Sequence, residues 1–330
     1  APLVTLCILA CPLGSTEDIP SETCEDFIVE LCLITTKEYK EAFTTEDAMT
    51  TYFATLLKSV NLRYVDMKKP KIKFQLNNVT VADKQNVTKY HRKSVDAGQT
   101  LVSLMNFLTS GCCETCDVVF LVTRDPMKLK RSGKYDGVHG AAVPASICTP
   151  KRVGVVHDMP HSYNSSRTLA HELAHTLGAT HDGAAPLNLT YKPPGAERCN
   201  LKEGYLMGSG TLGKRKYMLS NCSMDQIRAH YRILKAGCVH VHSPPSHTSN
   251  KYPGQDVTAN EFCQLVFGKG VTQRIFTKAR PGKECQLVCC PPRNINGPKC
   301  TEHNMLDGMK CASNMTCKRG VCGVHNWDES

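Results

Sequence analysis

No segment of this 330-residue sequence is both long and apolar enough to cross a membrane as a helix. Ala1 to Leu13 is apolar but too short to do so. No aromatic side chains interleave the basic runs at Lys68 to Lys73, Lys128 to Lys134 and Lys214-Arg215-Lys216. A groove for single-stranded nucleic acid needs that interleaving, so these runs are expected to be solvated faces. No Arg-Gly-Asp tripeptide occurs, which removes the simplest form of integrin mimicry. No internal repeat is visible.

Cysteine, by contrast, is abundant. Nineteen are too many for a compartment that keeps thiols reduced. Asn-x-Ser/Thr sequons at Asn78, Asn86, Asn164, Asn188, Asn221 and Asn314 also favour a secreted, extracellular glycoprotein. The odd count leaves at least one cysteine without an intrachain partner if the others are bridged. Lys plus Arg number 40 against 30 acidic residues, a net +10. That moderate excess is compatible with an acidic protein partner or a polyanionic matrix glycan. With 41% apolar residues the chain can bury a sizeable core. Its length fits one large domain and a smaller module, and a monomer is expected.

Residues 1–25 read as a signal or propeptide remnant. Strands are predicted at Phe27 to Ile34, Lys71 to Val81, Asp117 to Thr123, Val138 to Val143 and Val153 to His157, from apolar runs and alternation. Helices are predicted at Thr44 to Asn61 (capped by Thr44), Ser94 to Ser110, Ser165 to Leu177 and Ser223 to Leu234. This alternation argues an α/β layer fold. Residues 241–258 are polar and Pro/Ser-rich, and read as a linker. Residues 259–330 hold 8 cysteines in 72 positions, a disulfide scaffold of open connectivity. Bridges are also expected in Cys112-Cys113-x-x-Cys116. Two modules joined by a linker imply that removing residues 241–330 would weaken action on large partners more than on small ones.

The most informative segment is His171-Glu-Leu-Ala-His175-Thr-Leu-Gly178-Ala-Thr-His181-Asp182. Residues four apart share a helix face, so His171 and His175 can aim at one point. Gly178 can end the helix in the left-handed conformation, and His181 can then supply a third imidazole. Three protein ligands leave a fourth zinc position open, which marks a catalytic rather than a structural site. Glu172, one position round the helix, is placed to take a proton from a water at the metal. The spacing would arise by chance less than once in about 10⁵ such chains. The other histidines, His139, His157 and His161 among them, are expected to be surface or locally satisfied.

This segment is the metzincin signature. With Asp182 it resembles the reprolysin (adamalysin) family, which includes ADAM, ADAMTS and snake-venom metalloproteases. Tyr205-Leu206-Met207-Gly208 is similar to that family's Met-turn, with Met207 as the turn methionine. Ile28 to Leu31, Cys116 to Arg124, Ile147 to Arg152 and Ser220 to Ser223 resemble further family segments. Phe262 to Gly268 and Leu306 to Cys311 resemble the disintegrin-like module of ADAMTS proteases. The overall plan is similar to salivary metalloproteases of ticks.

The resemblance implies a metzincin catalytic domain over residues 26–240, with a mixed twisted sheet, an active-site helix and a Met-turn. A small disulfide-rich module would follow at 259–330. It implies a secreted zinc endopeptidase acting on extracellular proteins, such as fibrinogen or fibrin if the salivary likeness holds. Substrate would lie along an edge strand at Gly140, Ala141, Ala142 and Val143, running on to Pro144. Glu30, Asp117 and the Cys238 carbonyl would hold a structural calcium ion, although Val241 stands where the family has Asn. Lys214-Arg215-Lys216, in a stretch that walls a substrate pocket in the family, would favour acidic residues beyond the cut. Cys7 or Cys11 could serve as an inhibitory thiolate. The alternative reading is a binding module that captures a host or matrix protein through its Cys-rich region.

Overall fold

A computed structural model describes residues 26–209, 213–267, 274–277, 284–290 and 300–327. The N-terminal segment 1–25, with Cys7 and Cys11, lies outside them. The central sheet has five strands in the order Lys71–Ala82, Asp26–Thr36, Val118–Thr123, Val153–His157, Gly140–Ala142. The first four are parallel neighbours, and the short fifth strand runs antiparallel at the edge. A parallel sheet must be covered on both faces, which is why the strand Val118–Thr123 is buried throughout.

Alternate residues of that strand feed two cores. Val118, Phe120 and Val122 pack with Phe53 and Leu56 of the helix Glu46–Leu62 and with Leu169 and Leu173 of the helix Ser166–Thr176. Val119 and Leu121 face Leu104 and Leu108 of the helix Ala97–Leu108. The two-residue period of a strand is what divides them.

The helix cap at 44–46 differs from expectation by one residue. Thr45, not Thr44, accepts the Ala48 amide at 3.0 Å. The helix expected from Ser94 begins at Ala97, because Ser94–Asp96 pairs with the strand Met127–Arg131 and Asp96 caps the Gln99 amide at 3.1 Å. That pairing belongs to a second sheet which the apolar pattern did not show. It includes the hairpin of Met127–Arg131 with Lys134–Val138, whose exposed charges hide the strand period.

The active-site helix Ser166–Thr176 is fixed at its start and along its body. The buried Asp158 carboxylate accepts the Ser165 amide at 3.3 Å and the hydroxyls of Tyr39 and Tyr52 at 2.6 and 2.8 Å. The Tyr64 hydroxyl donates to the Ala170 carbonyl at 2.6 Å.

Cysteines bridge as 32–116, 148–238 and 199–222 in the first part of the chain. The last part has 263–289, 285–317, 290–300 and 311–322, which uses all eight of its cysteines. Cys112 and Cys113 have no disulfide among the described residues, contrary to expectation. All six sequon asparagines are exposed.

The segment read as a linker is instead docked. Ser246 donates to the Leu76 carbonyl at 2.8 Å, and Gln75 donates to the Ser243 carbonyl at 2.8 Å. It therefore covers the outer edge of the strand Lys71–Ala82, which would otherwise present unpaired backbone groups. Beyond it, Asp307 forms a buried ion pair with Arg63 at 2.8 Å. Taking such a pair out of water costs several kcal/mol per ion, so it requires good geometry and further hydrogen bonds.

Candidate metal centre

The helix Ser166–Thr176 ends at Leu177, and Gly178 follows at φ 100°. The Gly178 amide donates to the His175 carbonyl and the Ala179 amide to the Ala174 carbonyl, each at 2.9 Å. This is the two-bond helix stop that needs a left-handed residue. A side chain at Gly178 would also sit 2.9 Å from His230 Cβ, so glycine is required on both counts. The reversal carries His181 back to the helix.

The rings of His171, His175 and His181 then lie 4.8 to 5.1 Å apart between centroids. One ligand atom from each falls within 4.8 Å of the others. His171 Nδ1 is 2.8 Å from the Leu206 carbonyl, and His175 Nδ1 is 2.8 Å from the Ala179 carbonyl. A carbonyl only accepts, so each Nδ1 carries the proton and each Nε2 keeps its lone pair. Burial lowers all three imidazole pKa values, His175 to about 4, which keeps the rings neutral as a metal requires. Donor type, convergence and tautomer fit a zinc ion.

Met207 is fully buried beneath this cluster, and its carbonyl accepts the Asp182 amide at 3.0 Å. The buried Asp182 carboxylate accepts the Ser220 hydroxyl at 2.5 Å, tying the third histidine to the helix Asn221–Tyr231. Glu172 is also buried, and burial pushes its carboxyl up to about 8. A dication beside it would act in the opposite direction. The edge strand Gly140–Ala142 runs against Glu172. A Cβ on Gly140 would lie 2.6 Å from Glu172 Cγ and 2.7 Å from its Oε1. The structure thus brings Gly140, Ala141 and Ala142 to the site, with Val143 next in line and its amide bonded to the Val153 carbonyl at 3.1 Å.

The basic residues do not fall as expected. Lys216 is buried and contacts Asn304, and burial pushes its ammonium down to about 8. Arg215 pairs with Glu203 at 3.0 Å. Lys214-Arg215-Lys216 therefore does not form a cationic pocket wall. Two guanidiniums act on the site: Arg167 on His171, and Arg131, in the hairpin Met127–Val138 that runs into the edge strand. The Arg131 guanidinium influences Glu172, His175 and His181 together. The Lys128 to Lys134 run offered that signal in the sequence, but not its position.

Glu30 and Asp117 are brought together as expected, with the Glu30 amide donating to Asp117 at 2.8 Å. Cys238 is beside them through its bridge to Cys148. Both carboxylate oxygens of Glu30 are engaged, by the amides of His242 and Ser243 at 2.8 and 2.9 Å and by the Asn77 amide and Ser243 hydroxyl. Val241 supplies no side-chain oxygen.

Three converging imidazoles, two of them tethered, over a buried methionine and flanked by a glutamate and an open sheet edge, define a metal-dependent peptidase. Residues 26–222 match Metallo-peptidase family M12, which is more than half of the chain, and the protein belongs to that family. Residues 253–323 match the ADAMTS cysteine-rich domain 2. Human "A disintegrin and metalloproteinase with thrombospondin motifs 19" is 26% identical over 220 residues, 62% of this chain and 16% of its own length. Venom metalloproteinase antarease-like TserMP_B of Tityus serrulatus is 28% identical over 227 residues, 64% of this chain and 96% of its own. A Bombyx mori protein described as "A disintegrin and metalloproteinase with thrombospondin motifs like" is 24% identical over 292 residues, 82% of this chain and 40% of its own. The match therefore spans less than two thirds of two of these relatives and nearly all of the third.

Gly140→Ala should displace Glu172 while leaving the three histidines in place. Peptide turnover is expected to fall about 10- to 100-fold, the scale set by an ångström of misplacement. Zinc content should stay near that of the wild type, as read by metal analysis of the purified variant. Unchanged turnover would show that Glu172 does not depend on this contact.

Proposed function

We propose that the protein is a secreted zinc endopeptidase of extracellular proteins, with His171, His175 and His181 as zinc ligands and Glu172 as the proton shuttle. The observation that carries this reading is the convergence of three Nε2 lone pairs, each Nδ1 of the helix pair being tied to a carbonyl. A zinc ion held by His171, His175 and His181 would supply Lewis-acid chemistry there. Glu172 accepts the proton of the attacking water and returns it to the leaving amine. The edge strand Gly140–Ala142 has one side paired with Val153–His157 and the other facing the cleft, which suits an extended substrate added as a further strand. Met207 and Asp182 support the ligands, and Gly178 makes the turn between them. Cysteine usage and the six exposed sequons favour the secretory route.

The decisive measurement is cleavage of casein or a denatured proteome. Glu172→Gln should retain zinc and fold but lose nearly all hydrolysis, and a chelator should abolish the wild-type activity. Full activity in Glu172→Gln would remove the glutamate from its role.

Arg131 is proposed to favour acidic substrate side chains near the cut. An exposed charge pair is worth about 0–1 kcal/mol, so the preference should be up to about fivefold at low salt and should shrink as salt is added. Arg131→Gln should abolish it on paired Glu and Lys peptides. A preference that survives both changes would assign selectivity to other contacts.

At Glu30 and Asp117 we propose that hydrogen bonds take the place of calcium. Burial pushes the Asp117 carboxyl up to about 7, against the opposing pull of the Glu30 amide and the Arg152 guanidinium. A carboxyl raised in the folded state binds its proton more tightly than in the unfolded chain. Stability then falls as pH rises from about 4 to 7. Asp117→Asn should therefore gain stability relative to wild type as pH rises from about 4 to 7. Added calcium should not move the wild-type melting temperature. A calcium-dependent rise that Asp117→Asn abolishes would restore the cation site.

A further inference from the structure

We infer that Asp307, in the Cys-rich module, is a positioning residue for the histidine centre, acting through Arg63, Tyr217 and the Leu206 backbone on His171. The inference rests on the zinc-peptidase reading: on zinc at the three histidines for its metal-retention arm, and on hydrolysis for its kinetic arm alone.

Asp307 and Arg63 are 3% exposed, and the pair is fully partnered on the acidic side. Asp307 Oδ2 accepts Arg63 Nη1 at 2.8 Å and the Ser59 hydroxyl at 2.9 Å. Its Oδ1 accepts the Arg319 amide at 2.6 Å. Ser59 and Arg63 belong to the helix Glu46–Leu62 and its C-cap, so the carboxylate joins the module to the catalytic domain.

The other face of Arg63 carries the link forward. Its guanidinium lies 4.6 Å over the centre of the Tyr217 ring, a stacked cation–π contact in a buried setting. Tyr217 is closed in from the module side by Gly320, where a Cβ would come within 2.3 Å of the ring. A side chain larger than hydrogen at Gly320 would displace the tyrosine. The next residue, Met218, accepts the Leu206 amide at 2.8 Å. The Leu206 carbonyl in turn accepts His171 Nδ1 at 2.8 Å.

Each step is a directional contact between groups that have little room to move. Partners of this kind fix a ligand ring's orientation and commonly govern metal affinity. The disulfides 285–317 and 311–322 flank Asp307 and Gly320, so the module presents both as one rigid edge. An apolar contact could have covered the same area. A planar guanidinium between a carboxylate and a ring additionally fixes where Tyr217 stands.

The test uses the full chain. Asp307→Asn should lose zinc to a chromophoric chelator about tenfold more readily than wild type. On a peptide too short to reach the module, its kcat should fall about tenfold with KM within twofold. Arg63→Lys preserves the charge opposite Asp307 but loses the stack on Tyr217. It should fold like wild type by circular dichroism and still show the faster zinc loss, which keeps the test valid if Asp307→Asn does not fold. A lower melting temperature in either variant, with zinc retention and kcat unchanged in the folded protein, would overturn the inference and leave Asp307 a purely structural residue. If wild type holds zinc but cleaves nothing, the peptidase reading falls, and zinc retention in the two variants still decides the inference.

Discussion

The hydrogen bond from His171 Nδ1 to the Leu206 carbonyl is the contact on which the centre depends. It holds the first histidine in the tautomer that offers Nε2 to a metal. It also places the residue before Met207 directly under the active-site helix, so the turn methionine is buried where it can support the ring cluster. The Leu206 amide is committed as well, to Met218. One dipeptide therefore connects the metal ligands to a loop that the catalytic domain and the Cys-rich module both hold.

Charge in this protein is used in two different ways. Lys216 and Arg63 are buried cations at the junction of the modules, where desolvation makes geometry strict. Arg131 is an exposed cation whose field reaches Glu172, His175 and His181, where solvent screens it. Sequence alone presents Lys216 and Arg131 alike as members of short basic runs, and Arg63 as an isolated arginine. What separates them is whether the backbone directs the ammonium or guanidinium inward, and that is set by contacts more than 80 residues away.

The covered outer edge of the sheet and the open inner edge complete the architecture. Residues around Ser243 to His247 close the side at Lys71–Ala82, with Glu30 gripping the crossing chain through two amides. This leaves Gly140–Ala142 as the edge beside the glutamate and the histidines. Glycine at 140 is set by the close approach of Glu172, not by backbone conformation.

The sequence by itself determined the elements that local chemistry specifies. The parallel strands are legible at Asp26–Thr36 and Val118–Thr123 because a strand buried on both faces must be apolar throughout. The site helix and its turn are legible because spacing of four, then a left-handed glycine, then a third histidine has few other uses. Cysteine density marked the module but not its bridges, since pairing depends on where the chain returns in space. The hairpin that carries Arg131, the docking of residues 241–258 and the inward turn of Lys216 were decided only by tertiary structure. Each joins residues far apart in sequence, and polar segments have no periodicity to announce what they will pack against.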